Sequence, residues 1–185
     1  MMKKTLTIIL VIIVLIALFL MGNYNGMVSK QENVDSKYAD LDTMLQRRAD
    51  LIPNLVSTVK GYMQHEDAII EKVTTARQNL LKANSVEEKQ QANDELTSSL
   101  NALMVVVENY PDLKASENFI NLQDELAGTE NRIAVARKDY NDAVKSYNTA
   151  IKKFPGNIFA GMFGFESKPY FEAEESSKAV PTVDF

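Results

Sequence analysis

The residues of this sequence that could take part in chemistry are polar side chains beside apolar positions with helical spacing. They are charged and amide residues in two short series: Arg47, Arg48 and Asp50, and Glu130, Arg137, Asn141 and Asn148. The second series is spaced by seven, four and seven residues, so on a helix its members form one line beside the apolar stripe. Such groups either bind a ligand or pair with side chains on a neighbouring helix.

Pairing between helices is the interpretation that we favour for these polar residues. Seven residues correspond to about 10.5 Å along a helix, which is too far for Glu130 to reach Arg137. Arg48 occupies a position in the apolar seam of the first helix, and a charge near a core is tolerated only when it is paired. We therefore predict that Glu130 pairs with Arg48 or Arg47. The network would fix the register of the helices, as a single polar residue does in a coiled coil.

The sequence carries no signature of catalysis. Its one histidine, His65, has neither a second histidine nor a cysteine to complete a typical metal-ligand set. There is no glycine-rich phosphate loop, no Gly-x-Ser-x-Gly elbow, no His-Glu-x-x-His motif and no set of inward carboxylates with Glu-x-x-His. We predict a protein that is not an enzyme, with no catalytic, cofactor-binding or metal-binding residues. A net charge of −5 without a basic cluster argues against nucleic acid as a partner.

The chain begins with a predicted membrane anchor. Residues 5–22 contain eighteen residues without a charge, dominated by isoleucine, leucine and valine. As a helix this run spans roughly 27 Å, close to the ~30 Å hydrocarbon core of a bilayer. A cleaved secretory signal is the alternative, but such signals have a shorter apolar region and small residues before the cleavage site. The candidate exits at 20–22 and 24–26 carry a large residue where a small one is needed. We expect the anchor to be retained, which makes the lipid bilayer a partner.

The charges that flank the anchor give its expected orientation. Lys3 and Lys4 precede the run, and Lys30 and Lys37 follow it within about twenty residues, so the positive charges nearly balance. Because Lys3 and Lys4 directly adjoin the run, we expect the N-terminus inside and the domain outside the cytoplasm. The expected location is the bacterial cytoplasmic (inner) membrane, which the chain would cross once.

Helical periodicity continues beyond the anchor almost without a break. The first helix is expected to reach about Gln64 with a kink near Pro53, and the second to cover about 66–82. Ser85 and Glu88 match a capping box that starts the third helix, and the fourth stops at Pro155. The predicted inward residues, helix by helix, are Tyr24, Val28, Gln31, Val34, Tyr38, Leu41, Leu45, Arg48, Ile52, Leu55, Val59 and Tyr62; Ile69, Val73, Ala76 and Leu80; Ala92, Leu96, Leu100, Leu103, Val107 and Tyr110; and Phe119, Leu122, Leu126, Thr129, Ile133, Ala136, Tyr140, Val144, Tyr147, Ile151 and Phe154.

These patterns predict an all-α fold in which an N-terminal transmembrane helix is continuous with an antiparallel helical bundle of about four long helices. The expected division is a flank at 1–4, the anchor at 5–22 and the bundle at 23–155. An aromatic and glycine-containing segment would follow at 156–171, and a disordered acidic tail at 172–185.

The aromatic segment near the C-terminus has two interpretations. Its aromatic side chains are Phe159, Phe163, Phe165, Tyr170 and Phe171. The simpler interpretation is a strap that folds back over the open end of the bundle and buries its rings. The other is an exposed apolar patch that contacts the membrane surface or a partner protein.

Several motifs of this chain together resemble the LemA family of bacterial membrane proteins. They are Arg-Arg-Ala-Asp-Leu-Ile-Pro-Asn-Leu-Val at 47–56, Gly-Tyr at 61–62, His-Glu at 65–66, Tyr-Pro-Asp-Leu-Lys-Ala at 110–115, Glu-Asn-Arg-Ile-Ala at 130–134, Arg137, Tyr-Asn at 140–141 and 147–148, and Phe-Pro at 154–155. They occur in the family's order and spacing, and the likeness extends from the anchor to about Phe165. One departure is the absence of tryptophan, which many relatives place near Leu41.

The resemblance implies a single-pass N-terminal anchor, an all-helical bundle and no established catalytic activity. Some relatives are linked with membrane-bound zinc metalloproteases, and one branch with formation of the magnetosome membrane. Two functions therefore remain open. One is a scaffold that self-associates as a homo-oligomer, through coiled-coil-like helix contacts, and organises the cell envelope membrane or partner proteins. The other is an adaptor or regulator of a membrane-bound metalloprotease.

Overall fold

The computed structural model describes residues 2–63 and 65–172, and every regular element within these residues is a helix. The helices are α1 (Met2–Lys60), α2 (Asp67–Lys82), α3 (Val86–Val107), α4 (Pro111–Lys114), α5 (Glu117–Lys152) and α6 (Gly156–Phe163). The prediction of an all-α fold with a long apolar N-terminal helix and a helical bundle is confirmed. Gln64, the expected end of the first helix, and residues 173–185 of the expected acidic tail lie outside the described residues.

α1 is a single helix of 59 residues that contains both the apolar run and the first seam. The helix is long and apolar enough to cross a membrane, and none of the side chains in its most apolar stretch is buried within the protein. Pro53 lies inside α1, where it has no backbone N–H to donate to the carbonyl group four residues earlier. The helix ends at Lys60, so Tyr62 lies beyond it and is exposed.

The chain divides into two compact units, and the first comprises residues 2–38 and 140–168. In this unit α1 and α5 are antiparallel, because Lys30 lies beside Ser146 and Tyr38 lies beside Tyr140. Its core is formed by apolar side chains of α1, α5 and α6: Met27, Val34, Tyr140, Ala143, Val144, Tyr147, Ile151, Phe159 and Ala160. Met27 was not among the predicted seam residues, and Tyr24, which was, is 41% exposed.

The second unit comprises, among the described residues, 39–139 and 169–172. α2 and α3 pack against each other as a helical hairpin. The capping box that starts α3 is confirmed: the Glu88 backbone N–H donates to Ser85 Oγ, and the Ser85 N–H donates to the Glu88 carboxylate. The Asn84 N–H and the Ser85 N–H both donate to the Glu88 carboxylate and hold the pKa of Glu88 below its usual value, since they stabilise the charged form.

Most of the predicted inward positions of the second unit are buried, and two kinds of correction are needed. α2 buries Ile70 rather than Ile69, because the helix presents Ile70, Val73, Ala76 and Leu80 on one face. The other correction lies in the first unit, where the predicted stripe of α5 extends too far: the helix ends at Lys152, so Phe154 lies outside it and is 82% exposed.

Gly156 allows the chain to turn tightly from α5 into α6. A Cβ atom at this position would lie 2.0 Å from the Ala150 carbonyl oxygen and 3.1 Å from Cε of Met27. Because the first contact is with backbone, a side chain at residue 156 requires the chain itself to move. A Cβ atom at Gly161, on the same helix, would meet nothing within 4 Å.

We expect Gly156→Ala to lower the free energy of unfolding by about 1–3 kcal/mol, as overpacking does. Gly161→Ala is the matched control and should be neutral or slightly stabilising, since alanine favours helix more than glycine does. Urea unfolding of the full chain in mild detergent, followed by circular dichroism, measures both. Equal stability of the two variants would contradict the close packing of Gly156.

Candidate functional site

The most deeply placed charge of the described chain is Arg48, on α1 in the second unit. Only 5% of the residue is exposed. Its Nη1 donates to Asn93 Oδ1 at 2.7 Å and to Thr97 Oγ1 at 3.0 Å, two residues that lie one turn apart on α3. The same Nη1 forms an ion pair with Glu130 Oε2 of α5 at 2.9 Å. Arg48 therefore connects three helices, and we call these four residues the Arg48 cluster.

Burial within the Arg48 cluster is uneven. Asn93 is buried as deeply as Arg48, whereas the Glu130 side chain is 46% exposed. A buried guanidinium with two neutral acceptors and one carboxylate is a compensated charge. These contacts join α1 to α3 and α5, and a guanidinium, which stays protonated, is poorly suited to accept a proton.

The other predicted members of the first polar series lie at the surface of the second unit. Arg47 pairs with Glu125 at 3.1 Å rather than with Glu130, and both of these side chains are about half exposed. Asp50 accepts a hydrogen bond from Gln46 on the same helix. Pairs this exposed add about 0–1 kcal/mol to stability, so they contribute less than the buried contacts of the Arg48 cluster.

A partly buried polar contact compensates for the proline in α1. Pro53 cannot donate to the Ala49 carbonyl, which would accept its hydrogen bond in a regular helix. Arg77 of α2 takes that place, because its Nε donates to the Ala49 carbonyl oxygen at 2.8 Å. Sequence reasoning did not identify Arg77. The available signal was Pro53 itself, since a buried carbonyl without its helical donor needs another one.

Asn148 holds the segment after α6 in the first unit. Its Nδ2 donates to the Lys168 carbonyl oxygen at 2.8 Å, and the Lys168 backbone N–H donates to its Oδ1 at 2.9 Å. Lys168 also reaches Asp35 of α1 with its ammonium group, at 3.0 Å. The buried amide of Asn148 thus replaces the backbone partners that an extended segment lacks.

The predicted line of polar residues on α5 is divided between the two units. Glu130 and the half-buried Arg137 belong to the second unit, while Asn141 and Asn148 belong to the first. Glu130 contacts the Arg48 cluster and Asn148 contacts a chain segment, so the described contacts are of two different kinds.

The aromatic side chains of the segment at 156–171 differ in burial. Phe159 is buried in the first unit and Phe171 in the second. Phe163 and Tyr170 are nearly half exposed, and Phe165 is partly buried. Phe171 is held in the second unit by its neighbour Glu172, whose N–H donates to Oε1 of Gln90 on α3.

Two tyrosines have a perturbed pKa. Burial raises the pKa of Tyr147 in the first unit, and the nearby carboxylates of Asp35 and Glu166 raise it further. Loss of solvent contact also raises the pKa of Tyr110, whose hydroxyl donates to Glu66 at 3.2 Å. Both shifts keep the phenol neutral, which suits packing and hydrogen bonding rather than acid–base chemistry near neutral pH.

A shallow apolar groove lies between α1 and α5 in the second unit. It has a volume of about 410 Å³ and is lined by Asp40, Met44, Asn131, Arg132, Val135, Ala136 and Asp139. Val135 in this groove is 62% exposed, a high value for an aliphatic side chain of a long helix. We call it the α1–α5 groove.

The structure groups no metal-ligating set within residues 2–63 and 65–172, where no three histidine or carboxylate side chains lie close enough to share an ion. His65 lies in the connection between α1 and α2 and is exposed.

Comparison with known families identifies the family of this chain. The sequence model of the LemA family matches residues 37–185, which is most of the chain and includes the Arg48 cluster, the α1–α5 groove and the aromatic segment.

Individual relatives carry two kinds of name. Magnetosome protein MamQ 2 of Paramagnetospirillum magneticum is 28% identical over 190 residues, covering 89% of this chain and 70% of that protein. Magnetosome protein MamQ of Magnetospirillum gryphiswaldense is 25% identical and covers 82% of this chain and 65% of its own length. Protein LemA of Metamycoplasma hominis is 27% identical, with 83% of this chain and 71% of that protein covered.

Proposed function

This chain is a member of the LemA family, and we propose that it is a single-pass, membrane-anchored helical scaffold without catalytic activity that self-associates and organises the envelope membrane or partner proteins. The proposal places it in the bacterial cytoplasmic membrane with its helical domain outside the cytoplasm. Two of the relatives described above are named as magnetosome proteins, and this supports a role at a membrane.

The observation that carries the proposal is the continuity of α1. Its apolar run is exposed, with Leu10 and Ile13 more than half accessible, as expected for side chains that face lipid. Five residues after that run, Met27 is already buried in the first unit, and Val34 follows two turns later. The anchor therefore continues as one helix into the core of the first unit, with no flexible linker between them. A fixed connection of this kind suits a structural protein better than a tethered module.

The α1–α5 groove is the surface that we assign to self-association. It is lined by the apolar side chains of Met44, Val135 and Ala136 and by charged side chains of both signs. Anionic lipid headgroups and nucleic acids select positive charge, whereas a surface that combines apolar side chains with charges of both signs is typical of contacts between proteins. A second copy of this chain is the partner that the proposal commits to.

Val135→Arg is expected to break the assembly, because it places a charge at the centre of an apolar contact that the partner must desolvate. Mass photometry of native protein extracted in detergent measures the result. The unchanged chain should give a uniform multiple of the 20.7 kDa protomer, and the variant should shift to smaller species.

Val105→Arg is the matched control for this experiment. Val105 is an exposed valine of α3 that does not line the groove, so the same substitution there should leave the assembly mass unchanged. Equal masses for the two variants would remove the groove from the proposal. A monomer that purifies with a membrane metalloprotease would contradict the scaffold and favour the adaptor function instead.

A further inference from the structure

α6 is the most apolar exposed element of the described chain outside the apolar run of α1. From Pro155 to Phe165 there is no charged residue. Ile158 and Met162 lie four residues apart and so share one face of the helix, where they are 51% and 65% exposed. Phe163 is also nearly half exposed. Water is a poor environment for such a face, and a contiguous apolar patch of this kind marks an interaction surface.

Ring contacts fix α6 beside the end of the apolar run in α1. Phe159, which is buried, meets Phe19 edge to face, with ring centroids 5.9 Å apart. Phe163 meets Tyr24 in the same way at 5.0 Å, and Phe165 lies 5.8 Å from Tyr24. All of these residues belong to the first unit.

These contacts determine the depth of α6 once α1 crosses the bilayer. Phe19 lies three residues before Gly22, the end of the apolar run, which is about 4–5 Å inside its edge. Tyr24 lies two residues past that end, about 3 Å outside. A helix in contact with both rings is therefore at the level where acyl chains meet headgroups, the zone that aromatic side chains favour.

Charges directly before α6 fit the same location. Lys152 and Lys153 are exposed at the end of α5, directly before Phe154. Lysine side chains at the edge of an apolar segment reach towards headgroups, and anionic headgroups attract them.

We propose that α6 is an interfacial membrane helix that lies in one leaflet of the bilayer, with Ile158 and Met162 among the outer acyl chains and Lys152 and Lys153 at the anionic headgroups. The chain then contacts the membrane twice, through the crossing part of α1 and through α6. This inference rests on the membrane span of the proposed function and adds a lipid-contact surface to it. The bilayer is favoured over a second protein copy because the depth of α6 is set by Phe19 and Tyr24.

The absence of tryptophan from the chain makes the test direct, since one introduced tryptophan is the only one present. The full chain carrying Met162→Trp is placed in vesicles of phosphatidylcholine and phosphatidylglycerol whose acyl chains are brominated near the headgroup end. Its fluorescence is expected to fall about twofold relative to unbrominated vesicles, since an interfacial helix buries its apolar face about 5–10 Å into that zone. Quenching by acrylamide from the water should be weak.

Two further variants separate the possible outcomes. Ser36 is exposed on α1, fourteen residues beyond Gly22 and so about 21 Å away along the helix. The fluorescence of the Ser36→Trp variant should be quenched by acrylamide but not by bromine. Leu10→Trp reports on the crossing part of α1 and should be protected from acrylamide.

Each failure has its own pattern. If the Leu10→Trp variant is open to acrylamide, the membrane span fails and the proposed function fails with it. If that variant is protected while Met162→Trp behaves like Ser36→Trp, only the interfacial helix is overturned. Protection of Met162→Trp from both quenchers would assign α6 to a protein contact and would equally overturn the lipid proposal.

Discussion

Arg48→Ala is expected to lower the free energy of unfolding by about 3–5 kcal/mol, because it leaves a buried amide unpaired and opens a cavity in the core. The substitution deletes the donor on which Asn93, itself 3% exposed, depends. A buried amide without a partner contributes about 1–3 kcal/mol of this loss, and the space left by the long arginine side chain contributes the rest. Urea unfolding of the full chain in mild detergent gives the value by linear extrapolation.

Arg47→Ala is the matched control, because it removes the adjacent arginine from the same helix. The Arg47 side chain is 55% exposed and its partner Glu125 is equally accessible, so the loss should stay below about 1 kcal/mol. Similar losses for the two arginines would contradict the buried position of Arg48.

Glu130 should contribute less to the free energy of unfolding than Arg48 does. Glu130→Ala leaves the guanidinium bonded to Asn93 and Thr97, and the half-exposed position of Glu130 admits water to it. We therefore expect Glu130→Ala to cost about 1–3 kcal/mol, less than for a fully buried pair. The sequence alone does not show that Glu130→Ala should cost less than Arg48→Ala. The exposure of Glu130 is set by the neighbouring helices, which the spacing along α5 does not reveal.

A double replacement tests which contacts define the cluster. Arg48→Leu with Glu130→Leu still leaves the Asn93 amide buried without its partner, so it should recover little stability. Arg48→Leu with Asn93→Leu removes both buried polar groups and should recover more, since apolar side chains can fill such a site without desolvated polar atoms.

Local sequence patterns predicted most of the helices and buried positions. The predictions that were wrong or absent fall where such patterns are ambiguous or weak. The seam of α1 repeats every three or four residues, so Leu41, Leu45, Ile52, Leu55 and Val59 were identified as core and are buried. On α2 the adjacent isoleucines Ile69 and Ile70 both fit the apolar spacing, and the periodicity of a short helix did not show which of them is buried. α6 was not predicted as a helix, because a segment with glycines at 156, 161 and 164 has weak helical propensity and depends on tertiary packing.

Polar partners were predicted less well than core positions, for a physical reason. Arg48 was identified because a charge in an apolar seam is anomalous, and the structure places it beside Glu130. Asn93, Thr97 and Arg77 each look ordinary on their own helices. Their roles depend on which helices are neighbours and on how far the helices are shifted along one another. The spacing of residues along a single helix does not give this information.

The second large effect concerns the proline inside α1. Arg77→Leu is expected to lower the free energy of unfolding by about 1–3 kcal/mol, because it leaves the buried Ala49 carbonyl without a hydrogen-bond donor. Pro53→Ala restores the helical N–H that this carbonyl normally receives and should raise stability, since an interior proline costs about 3 kcal/mol relative to alanine.

The two substitutions together should therefore be coupled. In the Pro53→Ala background the carbonyl has its own helical donor, so Arg77→Leu should cost at least about 1 kcal/mol less than in the original chain. Arg77→Lys is the control for charge, because lysine keeps the positive charge but lacks the planar Nε donor, and it should lose most of the stability that Arg77→Leu loses. Strictly additive losses in the four-variant cycle would show that Arg77 stabilises the unit through packing alone. A positive coupling would make the α2 arginine the reason that a proline is accepted in the middle of a 59-residue helix.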